Sequence, residues 1–209
     1  TEPWFTDWLN HNHILVLVAQ TNPAIPYATR LKLVKEHEKF VVAQLPNKQS
    51  ISLPKSDLVI SKSGRLPAAD KLIETAKVYL PKASQGGGDY LWGGTLGKRL
   101  DCSGFVQTVY RVNGVYLPRD ADQQKGFTHS VASTLDKVNE LKAGDLVFFS
   151  SHGKWPTHVG MYLGAGEFIH SSAKGQYNGV KINSFKGSSA YDKFLQKIYF
   201  GGGRVERSL

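Results

Sequence analysis

The sequence predicts an α+β fold in two parts, a small all-β domain over residues 1–63 and a larger mixed domain over residues 64–209. Short apolar segments separated by turn residues recur about every ten residues in the first part, which is typical of a small β-barrel. The second part opens with helical periodicity and continues with alternating apolar segments, which indicates helices followed by an antiparallel sheet.

The composition is ordinary for a soluble domain. Hydrophobic residues make up 41% of the 209 residues and charged residues 21%, which does not indicate a disordered or fibrous chain. The longest apolar run, residues 14–19, is too short to span a bilayer. The chain begins at Thr1 without a Met or a signal peptide, and we therefore expect a mature or trimmed form.

The net charge of +9 indicates anionic partners, although the lysines are scattered among acidic residues rather than clustered. Three interpretations stay open: a merely solvated basic surface, attraction to an anionic polymer, or nucleic-acid binding. We expect no nucleic-acid partner, because the sequence carries no recognised binding motif.

Five strands are predicted in the first domain, separated by turns rich in Pro, Asn and Ser. They cover residues 13–19, 30–35, 39–45, 49–53 and 58–60. The run KFVVAQLPNK, residues 39–48, is similar to the central hairpin of bacterial SH3-like domains. His11 and His13 flank Asn12, but two histidines without further carboxylates or thiolates make a poor metal site, and we predict neither metal nor cofactor.

A linker is predicted over residues 61–65, followed by a helix over residues 68–80 that ends at Pro81. The next loop, QGGGDYLWGG, lacks the Gly-Lys-Ser/Thr of a phosphate-binding loop. Its glycines either let the backbone approach a ligand, as the wall of a cleft, or make the loop flexible. The aromatic residues Tyr90 and Trp92 favour the wall.

The single cysteine of the sequence, Cys102, falls in the first turn of a predicted helix whose apolar face includes Phe105 and Val109. One cysteine excludes an internal disulfide. The unpaired N–H groups and the dipole at a helix N-terminus favour thiolate over thiol, so we expect the pKa of Cys102 to be lowered. Position alone does not distinguish such a cysteine from an inert buried one.

Two histidines lie on a predicted β-hairpin downstream. Residues 157–164 and 167–171 alternate as strands on either side of a Gly-Ala-Gly turn, and they carry His158 and His170. A helix packed across this hairpin brings a thiol to a histidine that a third polar group can orient. That is the general arrangement of cysteine nucleophile catalysis.

The remaining elements follow from turn residues and apolar runs. Gly114 is expected to end the cysteine helix, and Asp120 taken alone is best explained as the N-cap of the next helical turn. A turn into a buried strand is expected over residues 144–149, and further strands over residues 179–182 and 195–200. A frayed tail is expected from Gly201 onwards, and His129 and His152 are expected in polar loops without a role.

Four motifs occur in order: DCSGFVQ from Asp101, PRDADQQ from Pro118, HVGMYLG from His158 and IHSS from Ile169. Together they resemble the NlpC-type cell-wall peptidases, a family with a papain-like fold, over residues 66–200, roughly two thirds of the chain. The resemblance implies a cysteine peptidase of peptidoglycan stem peptides. The bond cleaved would be the amide between γ-D-glutamate and a diamino acid, meso-diaminopimelate or L-lysine.

The resemblance also implies roles for residues. Cys102 is expected to be the nucleophile, His158 the base that takes its proton and later protonates the leaving amine, and His170 the group that orients His158. The Cys102 backbone N–H and Tyr90 are expected to bind the oxyanion.

Asp101 and Ser103 match positions that line the γ-D-glutamyl pocket, although Asp101 can also be a helix N-cap. Asp120 matches an acid that, in relatives with an SH3-like domain, pairs with the free amine of an N-terminal L-alanine. This implies a preference for released fragments over intact sacculus. Candidate first-domain residues at that end of the cleft are Tyr27, Glu36 and Glu38.

Two alternatives stay open, a cell-wall amidase or acyltransferase on a related fold and a wall-binding module with a degenerate catalytic domain. The presence of Cys102, His158 and His170 argues against the second. We expect peptidoglycan stem peptides or muropeptides as partners, and a monomer. The expected location is the bacterial cell envelope, periplasmic or secreted, with a cytoplasmic role in murein recycling as the alternative.

Overall fold

The computed structural model describes residues 13–16, 25, 28–45, 47–61, 66–81, 88–175 and 177–206. The chain divides into two compact units, Thr1–Ser63 and Gly64–Leu209. The predicted α+β class is confirmed, because the described residues combine antiparallel sheets with several helices. No helix among these residues is long and apolar enough to cross a membrane.

The first unit is built on an antiparallel sheet. Its described strands are β1 His13–Val16, β2 Arg30–Glu36, β3 Phe40–Gln44, β4 Ser50–Pro54 and β5 Leu58–Ser61. They are hydrogen-bonded in the order β4-β3-β2-β1-β5. Alternate residues of β3, Val41 and Ala43, are buried and pack with Leu31 and Leu53 in a small core. The five predicted strands are confirmed where the structure describes them, and residues 17–19 lie outside that part of the chain.

The second unit combines helices with a larger sheet. In chain order, its described elements are α1 Ala69–Lys77, β6 Thr95–Leu96, β7 Arg99–Leu100, α2 Cys102–Val112, α3 Ala121–Phe127, β8 His129–Val131, a 3₁₀ helix Leu135–Glu140, β9 Leu146–Phe149, β10 His158–Gly164, β11 Glu167–Ser172, β12 Gly179–Ser184, α4 Ala190–Lys197 and β13 Tyr199–Arg204. Within the described residues, six of these strands form one sheet in the order β12-β11-β10-β9-β13-β8.

Packing on the sheet positions the cysteine helix. β10 and β11 form the predicted antiparallel hairpin, in which Met161 lies opposite Ile169. Helix α2 packs against both strands, and its apolar residues Phe105 and Val109 are completely buried. The helix ends as predicted, because Gly114 adopts the left-handed conformation (φ +82°) just after the C-cap Asn113.

Helix α4 adds a second contribution to the core. Its residue Leu195 is 1% exposed and belongs to an apolar cluster with Phe149, Tyr162 and Phe168 from three adjacent strands of the sheet. This cluster holds α4 against the sheet beside the hairpin that carries the two histidines.

The predicted strand over residues 195–200 is confirmed only at residues 199–200, and the tail predicted from Gly201 onwards is wrong. Residues 195–197 belong to α4, and the expected tail forms most of β13, which lies between β9 and β8 inside the sheet. The glycines reflect close packing rather than fraying, because a Cβ on Gly203 would lie 2.0 Å from Thr128 Oγ1. Arg204 anchors the strand through its guanidinium, which donates to the buried Asp145 at 2.7 and 2.9 Å. His129, expected in a loop, lies in the edge strand β8.

Candidate active site

Cys102 is the first residue of α2, as the sequence predicted. Asp101 caps the helix, since its Oδ1 accepts a hydrogen bond from Gly104 N at 2.7 Å. Position 104 requires glycine, because a Cβ on Gly104 would lie 2.1 Å from Gly94 O. The glycine-rich loop therefore packs directly on the start of the cysteine helix.

The electrostatics of the thiol differ from the prediction. Burial raises the pKa of Cys102 to about 11, because the residue is only 7% exposed and water cannot solvate a thiolate there. Hydrogen bonds from the backbone N–H groups of Val159, Ser103 and Cys102 itself lower the pKa but do not offset burial. The expected lowering of the Cys102 pKa is therefore wrong. The helix N-terminus does supply N–H donors, but the packing around it excludes the solvent that a thiolate needs.

His158 and His170 meet as expected. His158 Nε2 lies 2.6 Å from His170 Nδ1, with the two rings nearly perpendicular. His158 opens β10 immediately before Val159, whose backbone N–H donates to the Cys102 sulfur, so this end of β10 lies at the nucleophile. His158 keeps part of its surface exposed, whereas His170 is completely buried.

Burial dominates the titration of both imidazoles. It lowers the pKa of His158 well below its ordinary value of 6.5, and the charge of His170 contributes in the same direction. It lowers the pKa of His170 to about 4, although a hydrogen bond to Asn183 partly opposes this change. At neutral pH the resting site therefore contains a neutral thiol and two neutral imidazoles.

Asn183 is a site residue that the sequence analysis missed. Its Oδ1 lies 2.8 Å from His170 Nε2, the ring nitrogen that does not face His158. Asn183 lies in β12, opposite Phe168 of β11, one residue beyond the predicted end of that strand. Only the register between β11 and β12 brings it to His170, and no spacing in the sequence reveals that register.

A cleft of about 480 Å³ opens over the nucleophile. It brings together four residues predicted for the site, Asp101, Cys102, Ser103 and Asp120. The remaining lining residues come from the glycine-rich loop, the start of α3 and the loop before β10: Trp92, Gly93, Arg119, Ala121, Asp122, Trp155, Pro156 and Thr157. Trp92 is 83% exposed and Trp155 is 54% exposed, so both present large apolar surfaces around this cleft.

Arg119 is the second missed residue. Its Nη1 donates to Asp101 Oδ1 at 3.1 Å and to Ser103 Oγ at 2.8 Å, while its Nη2 donates to Asp101 Oδ2 at 2.5 Å. Such a bidentate pair fixes the guanidinium in one orientation. Asp101 is buried and receives these bonds as well as the cap from Gly104, so both of its predicted roles, cap and pocket residue, are compatible with the geometry. The signal in the sequence that could have identified Arg119 is its place in the PRDADQQ motif, between Pro118 and Asp120.

Asp120 is the N-cap of α3, and Gln123 Oε1 accepts from its backbone N–H at 3.2 Å in a capping box. Its side chain is 62% exposed, and its Oδ1 lies 3.9 Å from Arg119 Nη1. The carboxylate lines the cleft and is already solvated.

Tyr90 lies beside the nucleophile. Burial raises the pKa of Tyr90 to about 12, and the neighbouring Cys102 and Asp101 add to this change. Its hydroxyl is consequently protonated at neutral pH and able to donate a hydrogen bond, and its role at the oxyanion stays a prediction. No group of three or more His, Cys, Asp or Glu side chains in the described part of the chain could hold a metal ion.

Sequence comparisons identify proteins that are similar to this chain. The NlpC/P60 family profile matches residues 87–199. The gamma-D-glutamyl-L-lysine dipeptidyl-peptidase of Bacillus cereus is 38% identical over 183 residues, which cover 80% of this chain and 52% of the relative. The enzyme of the same name from Bacillus subtilis is 33% identical over 155 residues, which cover 73% and 48%. The chain thus spans about half the length of these curated relatives.

Solved structures show the same likeness. The crystal structure of an NlpC/P60 family protein from Bacillus cereus aligns with a TM-score of 0.73 at 32% identity, over 97% of this chain and 66% of that protein. NlpC1 from Trichomonas vaginalis aligns with a TM-score of 0.54 at 21% identity, over 88% of this chain and 61% of that protein, and shares the fold alone.

Proposed function

The chain belongs to the NlpC/P60 family, and we propose that it is a cysteine peptidase that hydrolyses the γ-D-glutamyl–diamino acid amide of peptidoglycan stem peptides. The observation that carries the proposal is the arrangement of the three predicted catalytic residues. Cys102 lies at the start of a helix, its sulfur accepts from Val159 N–H, and His158 contacts His170 at 2.6 Å. The names of the two Bacillus relatives point to the same bond.

The neutral resting pair defines the first step of this mechanism. His158 uses Nε2 for its contact with His170, which leaves Nδ1 to accept the Sγ proton of Cys102 as the sulfur attacks the γ-carbonyl carbon. The backbone N–H of Cys102 and the protonated Tyr90 are the donors we assign to the developing oxyanion. The C–N bond then breaks, and the imidazolium of His158 returns the proton to the leaving amine.

Hydrolysis of the thioester completes the reaction. A water molecule gives a proton to His158 Nδ1 while its oxygen attacks the acyl carbon, and the C–S bond breaks. The sulfur leaves as thiolate and takes the proton back from His158. The products are a peptide ending in γ-D-glutamate and a peptide that begins with the diamino acid, and the neutral thiol is restored.

Arg119 suggests how the D-glutamyl residue is recognised. A γ-linked glutamate keeps a free α-carboxylate close to the bond that is cleaved. Arg119 is held by Asp101 and Ser103 and keeps 31% of its side chain exposed, so a guanidinium of fixed orientation faces the cleft. We assign Arg119 and Ser103 to that carboxylate, since arginine matches the geometry of carboxylates.

Asp120 supports a preference for fragments with a free N-terminal L-alanine. It lines the same cleft as Cys102 and Ser103, and an ammonium group would add an attraction that a neutral amide lacks. Of the three residues suggested from the first domain, Tyr27 lies outside the described residues, and Glu36 pairs with Lys55 at 2.7 Å. The residues that close this end of the cleft stay a prediction.

The domain organisation belongs to the same proposal. We infer an SH3-like barrel over residues 1–63 and a papain-like catalytic domain over residues 64–209, supported by the two compact units and by the five-stranded sheet among the described residues of the first. The partner would be peptidoglycan stem peptides or muropeptides. The location would be the cell envelope, with murein recycling as the alternative.

Digestion of defined peptides tests the function. L-Ala-γ-D-Glu-L-Lys and its meso-diaminopimelate analogue are incubated with the protein, and the products are identified by mass spectrometry. We expect L-Ala-γ-D-Glu and the free diamino acid from the parent protein, and neither product from Cys102→Ala. Cleavage at another amide or acyl transfer to an added amine would instead support the related amidase or acyltransferase. If the protein cleaved no murein fragment, the result would support the interpretation as a wall-binding module.

A further inference from the structure

We infer that Asn183 and Asp192 extend the hydrogen-bond chain behind His170 and, as positioning residues, fix the ring tautomer that leaves His158 Nδ1 free to accept the Cys102 proton. The inference rests on the proposed function for its catalytic meaning. Its structural content is a continuous chain of four side chains from Asp192 to His158, with contacts of 2.7, 2.8 and 2.6 Å.

The carboxylate of Asp192 determines the orientation of the Asn183 amide. Asp192 Oδ1 lies 2.7 Å from Asn183 Nδ2 and also accepts from Ser184 N at 3.0 Å. Burial alone would raise the pKa of Asp192, but hydrogen bonds from Ser189, Asn183 and Ser184 lower it, so the group is ionised at neutral pH. An ionised carboxylate only accepts hydrogen bonds. The amide therefore directs its Nδ2 to Asp192 and its Oδ1 to His170.

The orientation of the amide then determines both tautomers. Asn183 Oδ1 only accepts, so His170 Nε2 must carry a proton to make the contact at 2.8 Å. His170 is neutral at pH 7, because burial lowers its pKa to about 4, and its Nδ1 is therefore an acceptor. His158 Nε2 consequently donates across the contact of 2.6 Å, and His158 Nδ1 is left unprotonated. Each group therefore donates a hydrogen bond to the next, from His158 through His170 and Asn183 to Asp192.

The first turn of α4 holds this chain in place. Ser189 is the N-cap of the helix, its Oγ accepting from Asp192 N at 3.1 Å and lying 2.5 Å from Asp192 Oδ2. The ring of Tyr191 stacks on His170 at 6.1 Å, and its hydroxyl lies 2.7 Å from Ser172 Oγ. Tyr191 of α4 therefore covers the His170 imidazole, and the next residue, Asp192, orients Asn183.

The competing interpretation is that Asp192 only stabilises the start of α4. It predicts that Asn183 is replaceable and that loss of the Ser189 cap harms the enzyme as much as loss of Asp192. Because Ser189 contacts Asp192 Oδ2 while Asn183 contacts Oδ1, the two roles can be separated by substitution. Ser189→Ala is the matched control, since it weakens the cap without touching the amide.

The test combines steady-state kinetics with ¹⁵N NMR of histidine-labelled protein at pH 7. In the parent protein both His158 and His170 should show the Nε2–H tautomer. Asn183→Leu, which keeps a similar volume without hydrogen bonds, should yield mixed tautomers and a kcat lower by roughly tenfold to hundredfold, with KM changed less than about twofold. Asp192→Ala should show the same changes, and Asp192→Asn, which still accepts from Asn183, should recover most of the lost kcat.

Ser189→Ala should lower the melting temperature, keep both tautomers and reduce kcat far less than Asp192→Ala, because Asp192 Oδ1 still accepts from Asn183. The inference is overturned if the parent His158 carries its proton on Nδ1, or if Asn183→Leu retains the parent kcat. It is also overturned if Ser189→Ala reduces kcat as much as Asp192→Ala does at equal stability. The NMR readout needs no substrate, so a parent protein with the expected tautomers but no hydrolysis would contradict the proposed function and leave the hydrogen-bond chain intact.

Discussion

The reactivity of Cys102 gives the sharpest prediction, because it depends on which effect dominates at the helix N-terminus. Burial raises the pKa from an ordinary 9.0 to about 11. A difference of about two pH units corresponds to a hundredfold smaller thiolate fraction at pH 7, or about 2.7 kcal/mol. Alkylation by iodoacetamide, which consumes thiolate, should therefore be slow at neutral pH, and its rate should rise about tenfold per pH unit beyond pH 9.

The chain offers a clean assay, since Cys102 is the single cysteine of the sequence. Rates are measured from pH 5 to 11 for the folded protein and for the same protein in urea, where the thiol is solvated. The rate in urea should level off near pH 9, whereas the folded rate should keep rising. The pH dependence of each rate reports the ionisation of the thiol, whereas the absolute rate also depends on how well the folded protein shields Cys102 from iodoacetamide. His158→Ala is the control, and it should leave the folded profile unchanged.

The reasoning would be refuted by a folded rate that is constant between pH 6 and 8 and exceeds the rate in urea. Such a profile means that Cys102 and His158 rest as thiolate and imidazolium, and that the three N–H groups outweigh desolvation. In that case His158→Ala would also abolish the plateau, because it removes the cation that stabilises the thiolate.

Three further predictions address stability and specificity. His170 has a folded pKa of about 4 against an ordinary 6.5, so its contribution to stability is present above pH 6.5 and is lost as the pH falls towards 4. In urea unfolding this group should account for a loss of about 3 kcal/mol over this range, which should be absent in His170→Asn, while the loss caused by the lowered pKa of His158 remains. Gly203→Ala should destabilise the protein by about 1–3 kcal/mol, because its Cβ would lie 2.0 Å from Thr128 Oγ1, whereas Gly126→Ala, with nothing within 4 Å, should not. Acetylation of the N-terminal alanine of the substrate should lower kcat/KM about fivefold, since the ion pair with the 62% exposed Asp120 contributes about 1 kcal/mol to binding. Equal cleavage of the free and the acetylated peptide by the parent protein would mean that Asp120 is only a helix cap.

The sequence predicted the parts of the site that depend on local periodicity. The apolar spacing after Cys102 placed the cysteine at a helix start, and the alternation around His158 and His170 gave the hairpin. The contact of 2.6 Å between the two histidines follows from the pairing of these strands, and packing of the helix on the hairpin brings Cys102 to β10. These features follow from the period of each element, which a single sequence displays directly.

The features that the sequence did not predict depend on neighbours distant along the chain. The pKa of Cys102 depends on how much solvent the packed unit excludes, and the helix position alone cannot provide that information. Asn183 reaches His170 only through strand register, and the guanidinium of Arg119 reaches Asp101 across 18 residues. The three glycines before Arg204 have the composition of a tail, but a Cβ on Gly202 would lie 2.5 Å from Leu141 Cδ2 and one on Gly203 would lie 2.0 Å from Thr128 Oγ1.

The position of β13 also has a consequence for the order in which the strands of the sheet can pair during synthesis. β9, the neighbour of the strand that carries His158, is paired on its other side by residues 199–204, and β8 is attached to the sheet through the same segment. During synthesis the sheet therefore cannot close until almost all of the second unit has left the ribosome. Until then β9 presents an unpaired edge made of Leu146, Val147, Phe148 and Phe149. This late closure leaves the apolar edge of β9 open until residues 199–204 are available to pair with it.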